Sequence, residues 1–394
     1  MRERILRLRA ELLKMDCDAF LVTNPVKVRY LTGFNSNESS FCLVTQQGLY
    51  LVVHKIYGEQ ATLEAGDTEI LTVDRPQDEI SKIRELFKPY RKVCFENDLS
   101  YIEYRLLRER RAKEDFFPVT GDSRGLLMKI GLVDIISAVK DDGEIQKIQK
   151  AVEITEKVLK DHVLPKVRPG VTEKNLAAEV SYWGSKLGAE GVVFDNTVLF
   201  GKRSSMPHGE VSNNRLQEGD IVQFDLSHSV DGLLSDVSRV FILGEPTEKQ
   251  SKIYNLVLTA QEAAIKAARP GIKCKDLDKI ARDIIKNGGY DIPHALGHGL
   301  GISMDTFPGV GSEDETELMP GHVITIEPGI YIPGWGGIRI EDVIVITEDG
   351  CRNLNKFPKD LTVIPISEKN KTYDKKDETY NPVKGRPFTV RAFD

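Results

Sequence analysis

No run of about 18 or more apolar residues occurs in this sequence, which excludes a membrane-spanning helix. Nor does it open on a charged segment, an apolar core and a small-residue cleavage site. Met1-Arg-Glu-Arg4 reads instead as the start of an amphipathic helix, and the expectation is a cytoplasmic protein. Cys-x-x-Cys pairs are missing, and the five cysteines, Cys17, Cys42, Cys94, Cys274 and Cys351, are odd in number and far apart. That pattern argues against both a disulfide framework and a zinc knuckle, so reduced, buried thiols are expected. Positive charge is not in excess: a net charge of −6 and a pI near 5.8 argue against nucleic acid as the main ligand. Gly-x-Gly-x-x-Gly and Gly-x-x-x-x-Gly-Lys-Ser/Thr are absent too, which removes support for nucleotide binding.

What is present suits two packed domains, since 394 residues with 40% hydrophobic content bury a sizeable core. Short strands are expected over 18–23, 41–45, 48–54, 69–73 and 92–95, with helices over 2–15 and 77–87, which makes the amino-terminal part an α/β domain. A boundary falls near 130–143. Beyond it, Ile145, Ile148, Val152 and Leu159 recur at helical spacing and open a second domain on a long amphipathic helix.

That second domain repeats itself. Arg168-Pro-Gly-Val171 and Arg269-Pro-Gly-Ile272 each open a helical pattern, about a hundred residues apart. Gly219-Asp-Ile-Val-Gln-Phe-Asp225 matches Gly321-His-Val-Ile-Thr-Ile-Glu327 in pattern, with an acid six positions after the glycine in both. Hairpins follow each copy and deliver Asp236 and Glu341. With Asp231-Gly232 as a two-residue turn, Val230 pairs with Leu233 and Asp225 with Ser238, so Asp236 becomes a diagonal neighbour of Asp225. A loop centred on Gly334 sets Glu327 opposite Glu341, with Pro328 ending the first strand. A pseudo-two-fold arrangement then brings four acids to one centre. Buried carboxylates must be paired, protonated or metal-bound, and metal is the economical answer. Four carboxylates balance two divalent cations, and His298, in Pro293-His-Ala-Leu-Gly-His-Gly-Leu-Gly301, adds an imidazole that suits Mn, Co, Fe or Zn.

At these residues the sequence resembles the dinuclear metallopeptidases of the pita-bread fold, the family of prolidase, aminopeptidase P, methionine aminopeptidase and the metal-free relative creatinase. The resemblance covers 144–366 as a pita-bread domain. It also covers 1–130, including Arg29-Tyr-Leu-Thr-Gly33, as the amino-terminal domain of the prolidase and aminopeptidase P branch, with a linker over 131–143. It implies that Asp225 chelates one of two divalent metals, Mn or Co before Zn or Fe, that His298 and Glu327 bind the other, and that Asp236 and Glu341 bridge both. It implies hydrolysis of Xaa-Pro bonds in proline-containing peptides by a hydroxide bridging the metals, with Glu327 as proton shuttle. By the same resemblance His208 and His294 contact substrate, Arg339 orients the site, and the protein is a homodimer.

Two positions depart from the family. Asp305 stands where a histidine is usual. An ionised aspartate only accepts hydrogen bonds, a protonated one still donates, and either state can change specificity, for instance by holding a substrate amino group. His54-Lys-Ile-Tyr57 replaces an Asp-x-Arg-Tyr segment. A creatinase-like hydrolase acting on a small molecule and a catalytically impaired binding or scaffold homologue are the alternative functions. Among other candidates, Asp231 reads as a turn residue, Asp220 and Asp342 as capping, paired or solvated acids, and His54, His162, His228 and His322 as surface or loop residues. Trp335 reads either as lining the substrate entrance or as a hairpin anchor, and Gly297 to Gly301 as permitting close backbone approach. The charged tail over 367–394 closes on Pro387-Phe-Thr-Val-Arg-Ala-Phe393, which could lie on a neighbouring subunit.

Overall fold

Short continuous apolar runs build the amino-terminal sheet. In the computed structural model, which describes residues 2–38, 40–108, 125–128, 131–190 and 196–366, six strands align in the order β4-β3-β2-β1-β5-β6. They are β1 (Ala19–Val22), β2 (Phe41–Thr45), β3 (Leu49–His54), β4 (Glu69–Val73), β5 (Lys92–Phe95) and β6 (Gly125–Met128). The helices of this part are α1 (Arg2–Lys14), α2 (Pro25–Thr32), α3 (Gly58–Glu64), α4 (Asp78–Phe87) and α5 (Tyr101–Arg108). Phe20 and Val22 of β1 join the apolar layer of Leu8 and Leu12 from α1, while Ala19 and Leu21 join that of Ile83 and Phe87 from α4. Both faces of the sheet centre are thus covered, which is why β1 and β2 are buried at every position while the outer β4 is mostly open. Helix α2 starts where the Asn24 side chain accepts from the Val26 N–H at 3.0 Å, and it stops at Gly33 in the left-handed region, φ 91°.

The cysteine expectation needs correction. Cys17, just after α1, and Cys94 of β5 are joined by a disulfide, with Cα atoms 6.3 Å apart. Strand β1 begins two residues after Cys17 and runs parallel to β5, with Phe20 opposite Cys94, so residues 77 apart in sequence become neighbours. Cys42 and Cys274 are free and buried, and Cys351 is free and half-buried.

Helix α6 (Leu132–Ala138) occupies the stretch between the two parts, and α7 (Asp142–Lys157) opens on a capping box between Asp141 and Glu144. Then come α8 (Glu173–Lys186), β7 (Thr197–Phe200), β8 (Ile221–Leu226), β9 (Ser229–Val230), β10 (Leu233–Leu234), β11 (Val237–Leu243), α9 (Glu248–Ala267) and α10 (Cys274–Asn287). The remaining strands are β12 (Gly297–Gly299), β13 (Thr306–Val310), β14 (Val323–Ile326), β15 (Gly329–Ile332), β16 (Gly336–Arg339), β17 (Asp342–Ile346), β18 (Cys351–Asn353) and β19 (Thr362–Ile364). Among the described residues no helix is long and apolar enough to cross a membrane, and the tail over 367–394 lies outside them.

The expected repeat is visible in backbone detail. Gly170 N–H donates to Leu216 O and Gly271 N–H to Leu318 O, both at 2.8 Å, and each pair is followed by a bridge, Thr172 to Arg215 and Lys273 to Glu317. All four repeat glycines take the left-handed conformation, with φ of 82° and 80° at Gly170 and Gly271, and 83° and 87° at Gly219 and Gly321. The two halves centre on the β8–β11 and β14–β17 pairs, both antiparallel. Helices α7 and α8 share a core with β8 and β11, and α9 and α10 share one with β14 and β17.

Two histidines also need correction. Expected as surface or loop residues, His228 and His322 are fully buried, His228 within the loop between β8 and β9. His228 lies beneath α8, where a Cβ added to Gly184 would sit 2.1 Å from the imidazole. Its Nδ1 is 2.8 Å from the Thr155 hydroxyl, and burial pushes its pKa down to about 4.

One buried ion cluster ties α2 to the sheet end and to α6. The Lys27 ammonium bonds the Glu96 carboxylate, lies 3.0 Å from Asp134 and 3.4 Å from Asp98, and Glu96 is fully buried. Removing the cation strands a buried carboxylate, so Lys27→Met is expected to cost about 3 kcal/mol. A urea-unfolding midpoint equal to that of the wild type would contradict this role for Lys27.

Candidate metal centre

The Asp231-Gly232 turn, with φ of 49° and 75°, fixes the first pair of acids. Val230 pairs with Leu233 and Asp225 with Ser238, as expected, so Asp236 falls diagonal to Asp225 on the same sheet face. In the second half Ile326 pairs with Asp342 and Gly329 with Arg339. The two ladders share one offset, and that offset puts Glu327 opposite Glu341 across the break at Pro328.

His298 arrives on β12, and glycine is what lets it arrive. A Cβ at Gly297 would lie 2.0 Å from Thr325 O, and one at Gly299 would lie 2.4 Å from Phe307 O. The strand therefore beds against β14, and the His298 N–H donates to the Thr325 hydroxyl at 3.0 Å. That hydroxyl donates to Glu327 Oε1, also at 3.0 Å. One threonine thus sets the positions of both a histidine and an acid.

The resulting group is compact. His298 Nε2 is 3.3 Å from Glu327 and 3.7 Å from Asp236, while Asp236, His298 and Glu341 offer ligand atoms within 4.8 Å of one another. Asp225 faces the same cavity but is paired with the Arg339 guanidinium and accepts from Ser238 Oγ at 2.9 Å. Arg339 Nε donates to the same Ser238 hydroxyl at 2.8 Å. Glu341 Oε1 is buried with no hydrogen-bond partner.

Electrostatics make this a centre built for cations. Burial, then the neighbouring Glu341 and Asp225 charges, raise Asp236 well above the carboxylate range; burial, then Glu327 and Asp225, do the same to Glu341. Burial also lifts Glu327 to about 7, against the opposing pull of Arg339. The orphaned Glu341 oxygen and the mixed carboxylate–imidazole donor set fit divalent cations.

The cavity has a volume of about 440 Å³ and is lined also by His208, His294, Met304 and Asp305. His208 is exposed on its wall. His294 differs: its Nδ1 lies 2.7 Å from Ala295 O, so Nδ1 carries the proton and Nε2 accepts from the Tyr331 hydroxyl at 3.1 Å. Arg339 donates to that hydroxyl at 2.9 Å, and burial pushes His294 down to about 4. Asp305 is exposed, with φ of 50°. Trp335 is outside the cavity, half-buried under the Lys249 ammonium, which suits the anchor reading. Sequence reasoning missed Thr325, Ser238 and Tyr331. For the first two the available signal was the period of two, since Thr325 shares a strand face with Glu327 and Ser238 with Asp236.

A pita-bread fold of two related halves around a carboxylate–histidine centre places the chain among metal-dependent hydrolases. The chain belongs to metallopeptidase family M24, whose pattern matches residues 146–348, and the creatinase/prolidase N-terminal domain matches residues 4–126. Its cofactor is accordingly divalent metal. The Xaa-Pro dipeptidase of Pyrococcus furiosus is 35% identical over 92% of this chain and 100% of that protein. The solved Xaa-Pro dipeptidase of Bacillus anthracis superposes with a TM-score of 0.84 at 32% identity, covering 92% of this chain and 99% of that one. An X-Pro aminopeptidase of Thermotoga maritima gives 0.82 at 32% identity, over 91% and 99%.

Two outcomes follow from this geometry. Because burial and mutual repulsion favour the protonated forms of Asp236, Glu327 and Glu341, divalent metal added near pH 6 should release protons, read by calorimetry in buffers of different ionisation enthalpy. Metal binding without proton release would contradict the raised pKa values. Thr325→Val should weaken metal binding about 10- to 100-fold while Thr325→Ser retains it. Equal affinity in the valine variant would remove the positioning role.

Proposed function

We propose that this chain hydrolyses Xaa-Pro peptide bonds, with manganese or cobalt as the working metals and zinc or iron as fitting alternatives. The observation that carries the reading is the gathering of Asp236, His298, Glu327 and Glu341 around one point, in a chain that aligns over 92% of its length with Xaa-Pro dipeptidases. In the proposed assignment Asp225, Asp236, His298, Glu327 and Glu341 would together hold the divalent cations. Bound divalent cations supply Lewis acidity: they make a water nucleophile acidic near neutral pH and polarise the scissile carbonyl.

The chain's own groups do the rest. Glu327 Oε1, fixed by the Thr325 hydroxyl, takes the proton of the attacking water and returns it to the departing proline nitrogen. An Xaa-Pro nitrogen carries no hydrogen, so that returned proton is what releases it as an amine. Arg339 neutralises Asp225 and, through Tyr331, keeps His294 neutral and oriented. His208, exposed on the wall, is the imidazole placed to meet substrate. A cytoplasmic homodimer completes the proposal, two-fold dimers being the commonest assemblies.

Hydrolysis of Ala-Pro and Ala-Pro-Ala by protein stripped of metal and reconstituted with Mn²⁺ or Co²⁺ tests the reading, and the preferred length separates dipeptidase from aminopeptidase. Absence of cleavage in the metal-loaded protein would reject it. Glu327→Gln, which cannot carry the proton, should lower kcat about 10²- to 10⁴-fold. A kcat within twofold of wild type would exclude the shuttle role.

A further inference from the structure

The cavity wall carries four carboxylates, Asp225, Asp236, Glu327 and Asp305. Asp225 is held by Arg339, and Asp236 and Glu327 face His298. Asp305 alone of these has neither a hydrogen bond nor an ion pair among the described residues. It is exposed at the cavity edge, in the segment between β12 and β13. Its backbone is in the left-handed region, φ 50°, which few side chains adopt without a structural reason. The same conformation at Asp231 is explained by its hairpin turn; at Asp305 no turn hydrogen bond explains it.

We propose that Asp305 is a specificity residue that sets the charge of accepted substrates, favouring a cationic group beside the scissile bond and disfavouring a free carboxylate on the proline. This rests on the peptidase reading above. Charge bookkeeping gives the direction. The four acids of the metal centre match two divalent cations in formal charge, which leaves Arg339 and Asp305 as the remaining opposite charges on the wall. Arg339 is buried and engaged with Asp225, Ser238 and Tyr331, so an incoming ligand meets Asp305 and not the guanidinium. A peptide bound with its scissile carbonyl at Glu327 carries its α-ammonium two bonds from that carbonyl carbon. A dipeptide also brings a carboxylate two bonds from the scissile nitrogen. Asp305 attracts the first and repels the second.

The test compares Ala-Pro with Ala-Pro-amide, which share the scissile bond and differ in the carboxylate, on metal-loaded wild type and Asp305→Asn. Asparagine keeps the size and tolerates the left-handed backbone, so the variant removes charge and little else. The ratio of kcat/KM for Ala-Pro to that for the amide should rise about fivefold in the variant, through KM, and the difference should shrink as salt is raised. Asp305→His, which can donate, should move the ratio further the same way. Calorimetric binding of both compounds is measured alongside turnover. A shifted binding ratio without cleavage supports the charge role and rejects the peptidase reading. Equal ratios in wild type and Asp305→Asn, by turnover and by binding, overturn the proposal.

Discussion

Acids gathered in one buried centre repel one another, and much of the catalytic half is arranged around that repulsion. Asp236 and Glu341 are almost fully buried, Glu341 leaves an oxygen unpartnered, and both are driven toward the protonated form. A protein gains nothing from such a cluster by packing alone, because burying charge costs more than its neighbours return. The surroundings do not relieve the strain evenly. Asp225 is neutralised by Arg339, while Asp236, Glu327 and Glu341 are left around His298 with, among the described residues, no Lys or Arg side chain within ion-pair distance except Arg339, at 3.9 Å from Glu327. That unevenness identifies where positive charge has to come from outside.

The backbone serves the same end. Two copies of one supersecondary unit put antiparallel pairs β8–β11 and β14–β17 around the centre, and their inner faces share one apolar core that joins Ile221, Val240 and Ile242 to Ile324, Ile326 and Ile344. The amino-terminal part is not a separate body: its core runs on from α1 and α6 through Ile148 and Leu234 to Leu300 and Ile302, close before Asp305. Gly301 is packed against the buried Lys140 side chain, 2.9 Å from a built Cβ. The loop bearing Asp305 is thereby anchored on the segment that joins the two parts.

Much of this is legible in the sequence because it rests on local rules. A two-residue turn at Asp231-Gly232 settles a whole hairpin register, and with it the Asp225–Asp236 relation; the glycine before each repeat strand marks a left-handed entry that both copies keep. The helix through Ile145, Ile148 and Val152, the helices over 2–15 and 77–87 and the first five strands of the amino-terminal sheet follow from hydrophobic patterning, while α2 and β6 do not. What is not legible depends on contacts between distant segments. Nothing near Cys17 or Cys94 announces that β1 and β5 lie side by side. His228 sits in a loop by sequence, yet Gly184 of α8 leaves the space that buries it. Thr325 and Tyr331 gain their roles from His298 and from Arg339 and His294, which no spacing along the chain connects.

The central claim is that this cluster exists to hold two divalent cations. Elemental analysis of protein saturated with Mn²⁺ and then freed of excess metal tests it most directly. The account predicts two ions per chain, with binding lost on changing Asp236 or Glu341 to a neutral residue; a chain that retains none, or that retains them equally well without those acids, would contradict it.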